Sequence, residues 1–190
     1  MSSEPLTPPE RAELLRIARE AIAARFSGKK ISLSFRKTPG LEQPRGAFVT
    51  LHRDGALRGC IGCFTTPRPL YETVAEMAIS AAFKDPRFPP LQEAELAEVE
   101  IEISALTPLR RITDVEEIQV GTHGIYLSNG PFHGVLLPQV AVEYGWDRET
   151  FLDQTCRKAG LPPGCWRDPA TEIHVFSAEI FSERTEGLVP

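Results

Sequence analysis

A chain of 190 residues with 42% apolar side chains is long enough to bury a sizeable core, as one domain or as two small lobes. Its net charge of −5 opposes nonspecific nucleic-acid binding, which gathers Lys and Arg on one face to displace counterions. No apolar run reaches membrane-spanning length and the start MSSEPLTPPERAE lacks the basic-then-apolar plan of a signal peptide, so a cytoplasmic protein with four reduced cysteines is expected.

Thr7-Pro8-Pro9-Glu10 reads as a capping box with proline in the first turn, and Leu14, Ala18, Ile22 and Phe26 follow at four-residue spacing. This predicts a helix over 8–26, stopped by Ser27-Gly28-Lys29. Proline and glycine make 38–44 a loop. Ala47 to His52 is rich in strand formers, Arg53-Asp54-Gly55 carries an Asp-Gly turn signal, and Ala56 to Ile61 returns antiparallel. A second helix follows Thr66-Pro67, with Leu70, Val74, Met77 or Ala78, and Ala81 on its buried stripe and its end near Phe83. Asp85-Pro86-Arg87-Phe88-Pro89-Pro90 then loses too many N–H donors to be helix or central strand, which leaves a rigid loop.

Glu98 to Ala105 alternates acidic and aliphatic residues, the pattern of a strand with one wet face in an antiparallel sheet. A short helix over 114–118, strands over 124–127 and 134–137 around the turn 128–131, and a short helix over 138–144 follow. Asp147 caps a further helix to Ala159, with Gly160 as its stop and Trp146 stapled to Phe151. Glu172 to Ile180 reads as one strand returning to the sheet. The whole is an α+β arrangement, mainly antiparallel sheet with helices at its sides.

The stretch Ala56-Leu57-Arg58-Gly59-Cys60-Ile61-Gly62-Cys63-Phe64 carries the densest chemistry. Cys60 and Cys63 form a CxxC, but they sit on a strand rather than at a helix N-terminus where a thiol is acidified, and Cys156 and Cys165 are spaced unlike a second zinc knuckle. No metal and no cofactor is assigned. Two readings of Cys60 stay open. In one it is a small buried residue, and Gly59 and Gly62 admit a neighbouring segment. In the other it is a nucleophile or ligand contact, with Arg58 two residues away on the same strand face to stabilise a thiolate or hold an anion. Arg58 needs a partner in an apolar hairpin; Asp85 is the candidate, with Arg87 in the same cluster. His123 at a strand start reads first as a turn residue, and Gln139 after an apolar run points into a cleft or satisfies backbone. No paired histidines, phosphate loop or dinucleotide fingerprint occurs.

The motifs Gly46 to Leu51, Leu57 to Gly62 (LRGCIG), Asp85 to Leu91 (DPRFPPL), Leu106-Thr107-Pro108, His123-Gly124, Leu136 to Ala141 and Lys158 to Leu161, in this order along nearly the whole chain, resemble the AMMECR domain family, also called AmmeMemoRadiSam system protein A. Cys63 and Cys165 fall outside that pattern. The resemblance implies two closely joined lobes with LRGCIG beside a cleft between them, lined by Arg58, Gly59, Cys60, Gly62, Asp85, Arg87, His123 and Gln139. It also implies a pathway shared with a Memo-like protein and a radical SAM protein. It brings no established reaction: the readings are a module that binds a small ligand or a partner, an enzyme with Cys60 as nucleophile, Arg58 on an anionic group and His123 or Asp85 handling protons, and a structural adaptor.

Overall fold

The computed structural model describes residues 5–28 and 35–188; Met1 to Glu4, and Lys29 of the expected helix stop, lie outside them. The chain divides into two compact units. One runs up to Leu106 and resumes at Glu179; the other is the insertion Thr107–Ala178. Among the described residues no helix is long and apolar enough to cross a membrane.

In the first unit, α1 (Pro8–Ser27) begins with the Glu10 carboxylate accepting from the Thr7 N–H at 2.9 Å, the return half of the expected capping box. After a one-turn α2 (Pro39–Glu42), the strands β1 (Ala47–Arg53) and β2 (Ala56–Cys63) form the predicted hairpin. Asp54 and Gly55 both take positive φ, 52° and 75°, as a two-residue hairpin turn requires. Helix α3 (Leu70–Phe83) follows, then a loop and a short 3-10 turn Glu93–Ala97, then β3 (Val99–Leu106).

With β8 (Ala178–Ser182) the sheet order is β2-β1-β3-β8, so among the described residues β2 is an edge. Its inner face carries Ala47, Val49 and Leu51 of β1 with Val99, Ile101, Ile103 and Ala105 of β3. These pack with Leu14, Leu15, Ala18 and Ile22 of α1 and Leu70, Val74, Ala78 and Ala81 of α3. Each large side chain closed in this way contributes roughly 1.5–3 kcal/mol. The opposite face alternates as its sequence requires, with Phe48, Thr50 and His52 beside Glu100, Glu102 and Ser104.

The second unit holds β4 (Arg110–Ile112), a 3-10 turn Val115–Glu117, β5 (Gly124–Asn129), β6 (Phe132–Leu136), α4 (Pro138–Glu143), α5 (Arg148–Lys158) and β7 (Glu172–Phe176). Its sheet runs β4-β7-β5-β6. Ile112, Ile125, Leu127, Ile173 and Val175 pack with Phe151, Leu152 and Cys156 of α5 and Ala141 of α4, and Trp146 lies against the same cluster. Asp147 caps α5 through the Thr150 N–H at 2.8 Å, as expected.

Two expectations are corrected here. Glu172 to Ile180 is not one strand: it breaks at Ser177 into β7 and β8 (Ala178–Ser182), which belong to different sheets. Nor are all four cysteines reduced, since Cys156 and Cys165 form a disulfide across a Cα–Cα distance of 6.0 Å. The turn Leu161-Pro162-Pro163-Gly164 folds the chain back on the end of α5, and Asp153 fixes that return by accepting from the Gly164 N–H and the Trp166 indole, both at 2.8 Å. With those two thiols bonded to each other, a four-cysteine zinc set is not available.

Candidate functional site

The glycines of the motif are explained by close approach. Gly59 lies on the inner face of β2, opposite Leu51, where the last turn of α3 crosses; a methyl carbon there would overlap the Ala81 carbonyl oxygen. At Gly62, opposite Phe48, the Phe48 ring occupies the space a side chain would need, and that ring stacks edge-on with Phe64 at 5.1 Å. The first open reading of the motif therefore holds for its glycines.

It does not hold for the thiol. The register shifts between Leu51 and His52, so Leu51 opposes Gly59 while His52 opposes Leu57, and Arg58 is the extra residue of a β-bulge. Past the bulge, Cys60 opposes Thr50 and lies on the outer face of the sheet, half-buried. The Thr50 hydroxyl donates to Cys60 Sγ at 3.3 Å. Cys63 is the other free thiol, also half-buried.

The expected pairing of Arg58 with Asp85 is corrected. Arg58 Nε and Nη2 make a two-pronged bond to the Glu95 carboxylate, each at 2.9 Å, and Nη1 donates to the Pro89 carbonyl at 3.1 Å. All three of its nitrogens are engaged and its side chain is 12% exposed, so it is not free to take an anion. Glu95 also accepts from Arg53 Nη1 at 2.9 Å and the Gln92 N–H at 2.8 Å. These donors, Arg58 first, pull its carboxyl from the ordinary 4.5 to about 2.

That shift has a sign. A depressed folded-state pKa contributes stability that is complete above the ordinary glutamate range and is lost as pH falls toward the folded value. Lowering the pH from about 5 toward about 2 is therefore expected to reduce the urea midpoint of the first unit. Glu95→Gln should flatten that part of the profile; an unchanged profile in the variant would mean the Arg58–Glu95 pair carries none of it.

Asp85 serves Cys60 and Arg87 instead. Its Oδ2 accepts from the Cys60 N–H at 2.8 Å and from Arg87 Nη2 at 2.7 Å, and its Oδ1 accepts from Arg87 N and Nε, each at 3.0 Å. The Arg87 guanidinium holds the Asp85 carboxyl well below the usual carboxylate range, and Asp85 raises Arg87 in return. A buried carboxylate with both oxygens occupied is a poor proton acceptor, which removes Asp85 from the proton-handling role. Arg87 Nη2 also reaches the Cys60 carbonyl at 3.3 Å, while Nη1 has no partner among the described residues. The Arg87 side chain is 55% exposed and lies 5.6 Å from the Phe88 ring.

Arg58, Gly59, Cys60, Gly62, Asp85 and Arg87 thus gather in the first unit. His123 and Gln139 belong to the second. His123 Nδ1 accepts from the Gln119 N–H at 3.2 Å, closing a turn, and burial pushes its pKa down; Gln139 is exposed in the first turn of α4. Sequence reasoning missed Thr50 and Glu95. The hairpin made Thr50 accessible in principle; Glu95, in a three-residue relation to Gln92, carried no signal toward Arg58.

An α+β protein with a bulged edge strand bearing LRGCIG, locked by a DPR loop, is the class these features define. The family model AMMECR1 matches residues 15–181, and the chain belongs to that family. It is 47% identical to Protein MK0488 of Methanopyrus kandleri over 98% of this chain and 95% of that one. It is 43% identical to Protein NEQ441 of Nanoarchaeum equitans over 90% of this chain and 98% of that one. Among solved structures it is similar to the uncharacterized protein PH0010 of Pyrococcus horikoshii, with 45% identity, a TM-score of 0.72 and 89% of each chain covered.

Proposed function

We propose that the chain is a cytoplasmic, non-enzymatic accessory component of a pathway shared with a Memo-like protein and a radical SAM protein. It holds an anionic ligand or an acidic segment of such a partner at Cys60 and Arg87. The observation that carries this reading is the unpartnered Nη1 of Arg87, presented to solvent by a guanidinium whose other groups Asp85 orients, next to the half-buried Cys60 thiol. A fixed guanidinium is a preorganised anion contact, because its orientation is set before the ligand arrives. The nucleophile reading lacks a base: the group touching Sγ is the Thr50 hydroxyl, which donates to it, Asp85 has both oxygens bonded, and Arg58 is paired with Glu95.

Sedimentation of the chain mixed with the Memo-like and the radical SAM protein of its own organism tests the reading. Co-sedimentation is expected with wild type and with Cys60→Ser, and Arg87→Ala should weaken it by about tenfold or more. Loss with Cys60→Ser and not with Arg87→Ala would favour the thiol chemistry instead. Equal binding by all three would remove both.

A further inference from the structure

The Asp85–Arg87 pair does something at β2 that neither ligand binding nor catalysis calls for. β2 is an edge strand, and in an antiparallel pair the backbone groups of every second residue point away from the neighbour. Cys60 is such a residue: its N–H and C=O both point outward, and they are taken by Asp85 Oδ2 at 2.8 Å and Arg87 Nη2 at 3.3 Å. A carboxylate accepting and a guanidinium donating, themselves joined at 2.7 Å, present the same acceptor and donor that a residue of an adjoining strand would present. The loop that carries them cannot offer a strand of its own, since Pro86, Pro89 and Pro90 have no N–H. Two residues on, Gly62 repeats the outward orientation, and no side chain among the described residues bonds its backbone.

We propose that the Asp85–Arg87 pair is an edge guard. It occupies the outward backbone positions of β2 at Cys60 and keeps that strand from pairing antiparallel with the β2 of a second copy. The second copy is the occupant excluded, because two identical edges related by a twofold axis are self-complementary. The two halves of the guard differ in strength. Asp85 is buried, with its side chain 2% exposed and both oxygens multiply bonded, whereas Arg87 is 55% exposed and its bond to the Cys60 carbonyl is the longest of the set. Arg87 is therefore the half whose removal opens the edge.

The test is sedimentation velocity of the full chain and of Arg87→Ala across a wide range of concentration, with amide exchange at Gly62 read in parallel. The variant is expected to self-associate at least about tenfold more tightly than wild type, with the Gly62 amide gaining protection as concentration rises. Asp85→Asn, which keeps an acceptor for the Cys60 N–H and releases Arg87, should act in the same direction and serves if Arg87→Ala does not fold. Sedimentation identical to wild type in the folded variant would overturn the proposal. So would association that leaves the Gly62 amide unprotected, since the new contact would then lie elsewhere.

Discussion

Gly59→Ala is expected to lower the stability of the first unit by about 3 kcal/mol, the upper end of the usual cost of overfilling a closed core. The obstacle is the Ala81 carbonyl oxygen, part of the last turn of α3, and helix backbone cannot rotate aside as a side chain can. Relief requires α3 or β2 to move as a body. Leu70, Val74, Ala78 and Ala81 of the helix, all fully or nearly fully buried, would separate from Val49 and Leu51 of the sheet. Urea unfolding followed by amide exchange in β1 to β3 checks this. A variant with the wild-type midpoint would show that the glycine is not needed for close approach.

Breaking the Cys156–Cys165 bridge, by reduction or by Cys165→Ala, is expected to destabilise the second unit by about 2.5 kcal/mol, the cost of freeing a loop of this size in the unfolded chain. The chain supplies its own probe, because both of its tryptophans, Trp146 and Trp166, lie in that unit. Trp166 stacks with Arg167 at 3.8 Å and donates to Asp153 beside the bridge, so its emission should report the loss directly. Exchange of the β1 to β3 amides should be unchanged. An unaltered tryptophan unfolding midpoint after reduction would mean that the turn holds Cys165 in place without the bond.

The elements that were legible in the sequence are those whose periodicity is carried by many residues. Glu98 to Ala105 alternates over a full strand and only one geometry satisfies it; the stripe from Leu70 to Ala81 likewise fits one helix face. Features decided by a single residue were not legible. Counting outward from the Asp54-Gly55 turn places Thr50 opposite Gly59, and one bulged residue moves it to Cys60. The switch between sheets at Ser177 was hidden for a different reason. Ile173 and Val175 face one core and Phe181 faces the other, all at odd positions, so the alternation continues across the break as if nothing happened. Within the site, the sequence brought Cys60, Asp85 and Arg87 together through DPR and LRGCIG. It could not show which carboxylate each arginine would take, since that depends on how a loop of three prolines closes over the strand edge.

The insertion of Thr107–Ala178 leaves and rejoins the first unit at neighbouring points. Thr107 and Ser177 bond each other reciprocally, N–H to carbonyl and N–H to hydroxyl, each at 2.8 Å, and the buried Arg45 donates both to the Leu106 carbonyl at 2.7 Å and to Glu179 at 2.6 Å. This inverts the order in which a growing chain can finish its parts. Every residue of the second unit has been made once Ala178 has left the ribosome. The first unit, begun earlier, still lacks β8 at the free side of β3, and it lacks Glu183, which both accepts from the Ile101 N–H and neutralises Arg19. The half translated first is thus the half that closes last, and β3 waits with an open edge through the synthesis of an entire neighbouring unit.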